Sequence, residues 1–253
     1  MRVDFCGRDA RVIGSRGMLR AEMISKSFEK DEPLLEQVSF AANPGRICVI
    51  AGETGTGKTT LLRMLRGELT PDAGRVWMAG QDLRRLSANG RIQLLRKVAM
   101  VHEADRLLGD KTVIENVALP LRIMGIHGAK LAERVEQVLT RFDLTRLAYR
   151  FAETLSAGQA RQTAFARAVA AWPQVLLADE PFAHLDRVFA QRLVRLLLEH
   201  AVQDQLAIVL ATHHLDYLPV SDRIDHWQIV HTRLVHVEED HENLGVLSPT
   251  GDS

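Results

Sequence analysis

Three stretches of this chain have the residue types and spacing to do chemistry on a phosphate. The first, Gly52-Glu53-Thr54-Gly55-Thr56-Gly57-Lys58-Thr59-Thr60, fits G-x-x-x-x-G-K-[ST] and lies between an apolar run, Ile47 to Ala51, and a helical pattern, Leu61 to Leu65. A strand, a glycine-rich loop and a helix in that order let successive backbone N–H groups converge on phosphate oxygens, with the positive end of the helix behind them. In such a loop Lys58 bridges the β- and γ-phosphates and the Thr59 hydroxyl ligates Mg²⁺. The second stretch is the apolar run Val175 to Ala178 followed by Asp179-Glu180-Pro181. A carboxylate at the tip of a buried strand can hold Mg²⁺, usually through water, and Glu180, on the other side of the tip, can polarise an attacking water as general base. The third, Leu155-Ser156-Ala157-Gly158-Gln159, opens a helix, so the Ser156 hydroxyl and the N–H groups near Ala157 and Gly158 form a second anion site. One nucleotide cannot readily use both anion sites of a single chain. His213, after the apolar strand ending in Ala211-Thr212, places an imidazole at the same sheet edge, within reach of a γ-phosphate. It is that position, rather than the residue type, that marks His213.

The elements that must hold these groups are legible from periodicity. Leu19 to Ile24 and the alternating run Leu34 to Phe40 read as strands, with Ser25-Lys26-Ser27-Phe28 as a polar turn between them. Asn43-Pro44-Gly45 turns the chain into the Ile47 strand, and Arg75 to Ala79 and Val98 to Val101 are further strands. From there to about Ala170 the pattern is helical, over Val113 to Leu119, Leu131 to Phe142 and Ser156 to Ala170. Val175 to Ala178 and Leu206 to Ala211 have the continuous apolar character of parallel strands buried on both faces, Leu185 to Glu199 is an amphipathic helix, and Trp227 to Val230 with Leu234 to Val237 forms a closing hairpin. A strand-rich front, a helical middle and a strand–helix alternation at the back give an α/β core with a helical insertion.

At 253 residues with 46% hydrophobic content the chain can bury a large core. Thirty-two basic and 32 acidic residues cancel, which excludes an overall basic field that would hold nucleic acid or an anionic membrane. No apolar run approaches the ~20 residues that span a bilayer, so a cytoplasmic chain is expected. Cys6 and Cys48 make no metal spacing and are read as reduced and structural. His226, His231, His236 and His241 recur every five residues, a spacing that fits neither a helix nor a strand face, and are read as surface residues. Residues 1–17 carry four arginines among glycines without a sustained period, and a flexible extension is expected there, with Met18 a possible native start; the acidic residues 238–253 read as a disordered tail.

In order and spacing, the phosphate loop, Leu155 to Gln159, Leu176 to Pro181, Leu185-Asp186 and Thr212-His213 resemble the nucleotide-binding subunit of ABC transporters over residues 18–237. The resemblance implies a P-loop NTPase with a RecA-like core, an ABC-type antiparallel β region and an inserted helical subdomain at about 104–168. It implies an ATPase using ATP and Mg²⁺, and a head-to-tail homodimer in which each ATP lies between the phosphate loop of one copy and the Ser156 helix of the other. Phe28 then matches the aromatic that stacks on adenine, Asp186 the loop that communicates across the dimer, and His213 the switch histidine. The segments Met100 to Glu103, Leu107 to Leu121 and Ala166 to Val169 are similar to the cell-division branch of the family, which implies an FtsX-like or other transmembrane permease as partner and peripheral attachment to the inner membrane through it. They are also similar to the lipoprotein-release and macrolide-export branch.

The chain departs from the family pattern at four places. Glu103 stands where the family has a glutamine that offers a neutral carbonyl to Mg²⁺ and to the attacking water. Glutamate can still ligate the metal, but its charge beside a γ-phosphate weakens ATP binding or alters coupling. Ala157 replaces the second glycine of the signature, Ala160-Arg161-Gln162 shifts the basic residue by one position, and His184 replaces a small or amide residue. The expectation is a slow or partner-dependent ATPase, with a nucleotide-gated scaffold of little hydrolysis as the alternative.

Overall fold

The computed structural model describes residues 17–29 and 32–237; residues 1–16 and the acidic tail at 238–253 lie outside them. Two sheets are present among the described residues. Strands β1 (Leu19–Glu29), β2 (Glu32–Ala42), β4 (Ala73–Met78) and β5 (Gln81–Asp82) form an antiparallel sheet in the order β2-β1-β4-β5. The larger sheet has the order β10-β9-β3-β8-β7-β6, built from β3 (Ile47–Ala51), β6 (Val98–Val101), β7 (Val175–Asp179), β8 (Ala207–Thr212), β9 (Ile224–Val230) and β10 (Arg233–Val237). All its pairs are parallel except the β9–β10 hairpin.

Alternation along these strands divides the interior into two cores. In β3, Ile47 and Val49 face one core while Cys48 and Ile50 face the other; in β7, Leu176 and Ala178 oppose Val175 and Leu177 in the same way. Both faces are dry, which is why these runs are apolar without interruption. Three helices of the insertion, α3 (Val113–Ile123), α4 (Gly128–Arg141) and α5 (Ala157–Ala170), together with α6 (Arg187–Asp204), cover the first face. Helix α1 (Lys58–Leu65) and the antiparallel sheet cover the second, and α2 (Ala88–Leu95) packs beside β6. Each fully buried Leu, Ile or Phe contributes about 1.5–3 kcal/mol, and Phe40, Phe142, Phe165 and Phe182 are all below 2% exposed.

Among the described residues, polar and charged side chains that enter these cores are hydrogen-bonded, as two of them show. Arg134 on α4 donates from Nε to the Ala170 carbonyl (3.0 Å) and from Nη2 to the Val169 carbonyl (2.9 Å), satisfying the free end of α5. Asn116 on α3 accepts from the Leu108 N–H and donates to the carbonyls of Leu108, Lys111 and Thr112, which fixes the loop before the helix. Burial pushes the Cys48 thiol up, so it stays protonated as a small core residue.

The expected turn at Ser25 to Phe28 is not a turn. Strand β1 runs through it to Glu29, pairing Lys26 with Leu35 and Ser27 with Pro33 across register shifts. A carboxylate from a distant turn supports the polar segment: Asp72 accepts from Lys26 Nζ (2.6 Å) and from the Ser27 N–H (2.9 Å), a contact 45 residues away in sequence that local composition does not reveal. The helix expected over Leu185 to Glu199 starts at Arg187, after its N-cap Asp186 accepts from the Phe189 N–H (2.8 Å), and ends at Asp204.

Candidate functional site

Strand β3 delivers the chain to the sheet edge, the glycine-rich loop wraps back over it, and α1 starts at Lys58. Gly57 sits at φ 98°, where a Cβ would also meet Leu34 and Leu35 at 3.1–3.2 Å, so only glycine fits without strain. No side chain caps α1, leaving its first N–H groups to face a depression of about 260 Å³. The lining includes Thr54, Gly55, Gly57, Lys58, Thr59, Thr60, Glu103, Glu180 and His213, with Leu34 at one side. An uncapped helix end beneath a glycine loop fits a phosphate, whose oxygens can take the open donors.

The charges in this depression are interlocked. The buried Lys58 ammonium donates to the Gly52 carbonyl (2.7 Å) and the Glu53 carbonyl (3.0 Å) and pairs with Glu180 Oε1 at 3.2 Å. The other oxygen of Glu180, Oε2, lies 3.0 Å from His213 Nδ1. Burial draws the Glu180 carboxyl upward, but bonds to His213 and Lys58 outweigh it and hold the group below its ordinary value. Thr59 donates its hydroxyl to Asp179 Oδ2 (2.7 Å), while Asp179 Oδ1 is buried with no hydrogen-bond partner. Burial pushes the Asp179 carboxyl above its ordinary value; the Thr59 bond offsets this in part, and Glu180 and Glu103 add like charge. The unpartnered oxygen of Asp179, beside the Thr59 hydroxyl, is an oxygen donor of the kind a divalent cation takes.

The second anion site is built differently. Ser156 caps α5: its Oγ accepts from the Gln159 N–H (3.3 Å), and Gln159 Oε1 accepts from the Ser156 N–H (3.1 Å). Gln159 is thus engaged in a capping box, while the Ser156 hydroxyl, used there as an acceptor, keeps its proton to donate. Ser156 and Ala157 are exposed, and Gly158 backs directly on the Phe189 ring, which a Cβ would approach to 3.0 Å. Ala157 instead lines a second depression of about 350 Å³ with Glu103, Asp105, Arg161 and His184, so Glu103 stands on the rim of both. His184 has φ 63° in an exposed turn, a conformation rare for histidine and easy for asparagine or glycine. Phe28 is 62% exposed, with the Lys26 ammonium 5.5 Å from its ring, and is not among the residues lining the phosphate depression; nor is Asp186.

Sequence reasoning marked Arg161 only as a displaced basic residue and gave Arg167 no role. Arg161 is 3% exposed and donates to the carbonyls of His102 (2.8 Å) and Glu103 (2.6 Å), with Nε 3.2 Å from Asp105 Oδ1. Arg167 donates to the carbonyls of Asp105 and Arg106, both at 2.8 Å. A signal was present: Arg161, Phe165 and Val169 recur at intervals of four, which places the arginine on the buried stripe of α5. Of the histidines spaced by five, His226 and His236 lie half-buried on β9 and β10, His231 is exposed in the hairpin turn, and His241 is outside the described residues. Among the described residues no group of three or more His, Cys, Asp or Glu side chains is arranged to hold a metal ion, so the cation-fitting oxygens at Thr59 and Asp179 would depend on further donors.

This fold and loop geometry define a P-loop ATPase core with an appended antiparallel sheet and a helical insertion. The family model described as ABC transporter matches residues 35–183, and the chain belongs to the ABC transporter family of ATPases. Its relatives include the cell division ATP-binding protein FtsE of Escherichia coli (strain K12), 35% identical over 201 residues that cover 79% of this chain and 90% of that one. The methionine import ATP-binding protein MetN of Haemophilus ducreyi is 36% identical over 211 residues, covering 82% of this chain but 61% of the longer protein. Among solved structures, cbiO1 from Clostridium perfringens, part of the ABC transporter complex cbiONQ, aligns with a TM-score of 0.80 at 25% identity over 87% of each chain. The MJ0796 cassette, dimeric in a post-hydrolysis state with ADP and Pi, aligns with a TM-score of 0.75 at 26% identity over 86% of this chain and 96% of that one. No helix among the described residues is long and apolar enough to cross a membrane.

Proposed function

We propose that this chain is the ATP-hydrolysing subunit of an FtsEX-like complex, in which ATP-driven pairing of two copies acts on an inner-membrane partner during cell division. The observation that supports this reading is the likeness to proteins named cell division ATP-binding protein FtsE, 34–35% identical over 79% of this chain, together with the segments Leu107 to Leu121 and Ala166 to Val169 that resemble that branch. Lys58 and the loop N–H groups from Gly52 to Thr60 would hold the phosphates, and Phe28 would stack on adenine. Thr59, Asp179 and Glu103 would hold Mg²⁺, which supplies charge neutralisation at the phosphates when bound. Glu180 then serves as general base, oriented by His213, once the phosphate has drawn Lys58 away from it. Ser156, Ala157, Gly158 and Gln159 would close over the nucleotide of the other copy, and Asp186 would sit at the junction between copies.

For the membrane partner, a groove of about 370 Å³ lies between β6, α3 and α5, with an apolar floor that includes Met100, Leu119 and Ile123 and arginines Arg66, Arg96 and Arg167 around it. Ile123 is 70% exposed there. The reading is tested by pull-down from membranes: the chain is expected to bring down an FtsX-like protein, and Ile123→Asp to lose it while keeping basal ATPase activity. Capture of a large permease instead would favour import, lipoprotein release or macrolide export.

Glu103 and Ala157 favour slow turnover that rises with the partner present, because Glu103 adds a second carboxylate beside Glu180 to the lining of the depression. Steady-state ATPase with and without the partner tests this. If activity stays at background in both and Glu103→Gln restores it, the chain works as a nucleotide-gated clamp.

A further inference from the structure

We infer that Tyr217 is a positioning residue for ATP hydrolysis, the outer clamp of an aromatic column that holds the His213 ring against Glu180. The inference rests on the reading above that Glu180 is the base and that His213 orients it. It goes beyond that reading in naming what orients His213.

The His213 side chain is poorly placed to hold itself still. It is 48% exposed, and the bond that ties it to the site is the one from its ring Nδ1 to Glu180 Oε2, at 3.0 Å. An imidazole that open to water changes rotamer within nanoseconds unless a face of the ring is covered. His214 covers it, with ring centroids 3.9 Å apart. Behind His214 stands Tyr217, stacked on it at 5.0 Å with the two planes 17° apart, and Phe182 meets the Tyr217 ring edge-on at 6.0 Å and 85°. Stacked and edge-on pairs at these separations are the arrangements that aromatic rings favour.

The column ends where it began. Phe182 is 1% exposed and follows Glu180 by two residues, so the ring contacts and the Glu180–His213 bond close a circuit. Glu180 needs a surround of this kind. Its backbone sits at φ 42°, sparsely populated for a residue with a Cβ, and such a conformation persists only where its neighbours fix it. The Glu180 N–H donates to the Ala211 carbonyl (2.8 Å), and the Glu180 carbonyl accepts from the Ala183 N–H (3.2 Å). On the other side of the circuit, the His214 N–H donates to the Thr212 hydroxyl at the end of β8 (3.1 Å). Tyr217 closes the short turn Leu215–Tyr217 and packs, partly buried, against the same core as Phe182. Its ring makes these contacts, so a phenyl ring would serve as well as a phenol. Without that ring His214 loses its backing and His213 spends less time on Glu180, while the phosphate loop keeps all its donors.

The full chain, purified with its membrane partner if basal turnover is low, is assayed with Mg²⁺-ATP. Tyr217→Leu is expected to lower kcat about fivefold while KM for ATP changes by less than about twofold, because the loss falls on the orientation of the base and not on nucleotide binding. Tyr217→Phe keeps the ring and should stay within about twofold of the parent. In a His213→Ala background Tyr217→Leu should cost nothing further, since its effect runs through His213; a second loss of about fivefold there overturns the inference. The nitrogen NMR signals of the His213 ring should shift in Tyr217→Leu and hold in Tyr217→Phe, and signals that hold in both overturn it too. So does a Tyr217→Leu chain that melts as the parent does and keeps its kcat. If Tyr217→Leu does not fold, His214→Ala removes the middle ring and should lower kcat by about the same factor; unchanged kcat in that variant overturns the inference equally. His213→Ala by itself separates the two ideas. Parental kcat there would sink the reading of His213 as the orienting group, while shifted ring signals in Tyr217→Leu would leave the column standing as what holds that ring.

Discussion

The two anion sites of this molecule make a contrast in completeness. At the phosphate loop, side chains interlock within the chain: Lys58 bonds two loop carbonyls and Glu180, Glu180 reaches His213, and Thr59 reaches Asp179. At the start of α5, Ser156 and Ala157 face outward and the only reinforcement is a capping box and the Phe189 ring behind Gly158. One site is pre-organised around the buried Lys58 and Asp179; the other is an exposed helix start. A single copy therefore holds two unlike halves, and the family's head-to-tail pairing is what would make each half useful to the other.

The contrast can be broken most severely at Glu180. Glu180→Gln removes the proposed base while keeping the side-chain shape, and kcat for ATP should fall by about 10²–10⁴ with nucleotide binding retained, as read by steady-state turnover beside a fluorescent-nucleotide titration. Retained turnover would move the base elsewhere. At the outward site the effect is smaller: Ser156→Ala should lower kcat about tenfold and stability by about 1 kcal/mol, since it removes both a donor and a helix cap. Gly158→Ala sharpens the comparison by packing alone. Its methyl meets the Phe189 ring, so chemical denaturation should show a loss of about 1 kcal/mol that Phe189→Ala relieves in combination.

Asp179 supplies a change of opposite sign. Its buried, partnerless oxygen and upward-shifted carboxyl make it a cost to the nucleotide-free protein, so Asp179→Asn should raise the melting temperature by about 2 °C while ending Mg²⁺-dependent hydrolysis. The smallest expected effect is in pH. Glu180 is held below its ordinary value, so its contribution to stability is complete above the unfolded value of about 4.3 and is lost as pH falls through the folded value. Asp179 is shifted upward and works the other way, being relieved as it protonates. Calorimetry between about pH 3 and about pH 7 should therefore show the melting temperature falling more steeply on acidification in the parent than in Glu180→Gln.

Much of this was legible in the residues. The phosphate loop, the buried parallel strands and the final hairpin follow from short-range pattern, because glycine spacing and two-sided burial are written locally. What escaped was non-local. The continuation of β1 through Ser25 to Phe28 depends on Asp72, and the role of Arg161 depends on carbonyls some 60 residues earlier in the chain. The site departures were visible at Glu103 and Ala157, but that Glu103 borders two depressions at once is a property of the loop's path in space. Gln159 reads from sequence as a nucleotide contact, and the structure adds a second use that spacing alone did not show, the closing of a helix end by its side chain.

The alternation of residues between two cores has a mechanical consequence. A sheet whose interior strands are laminated on both faces resists bending, as a ply resists shear, so β3, β7 and β8 carry the phosphate loop, Asp179 and Thr212 on one stiff rim. Compliance is left to the helical layer and its loops. In this molecule the oxygens proposed to face a metal sit on the anvil, and any blow would have to come from the helical side.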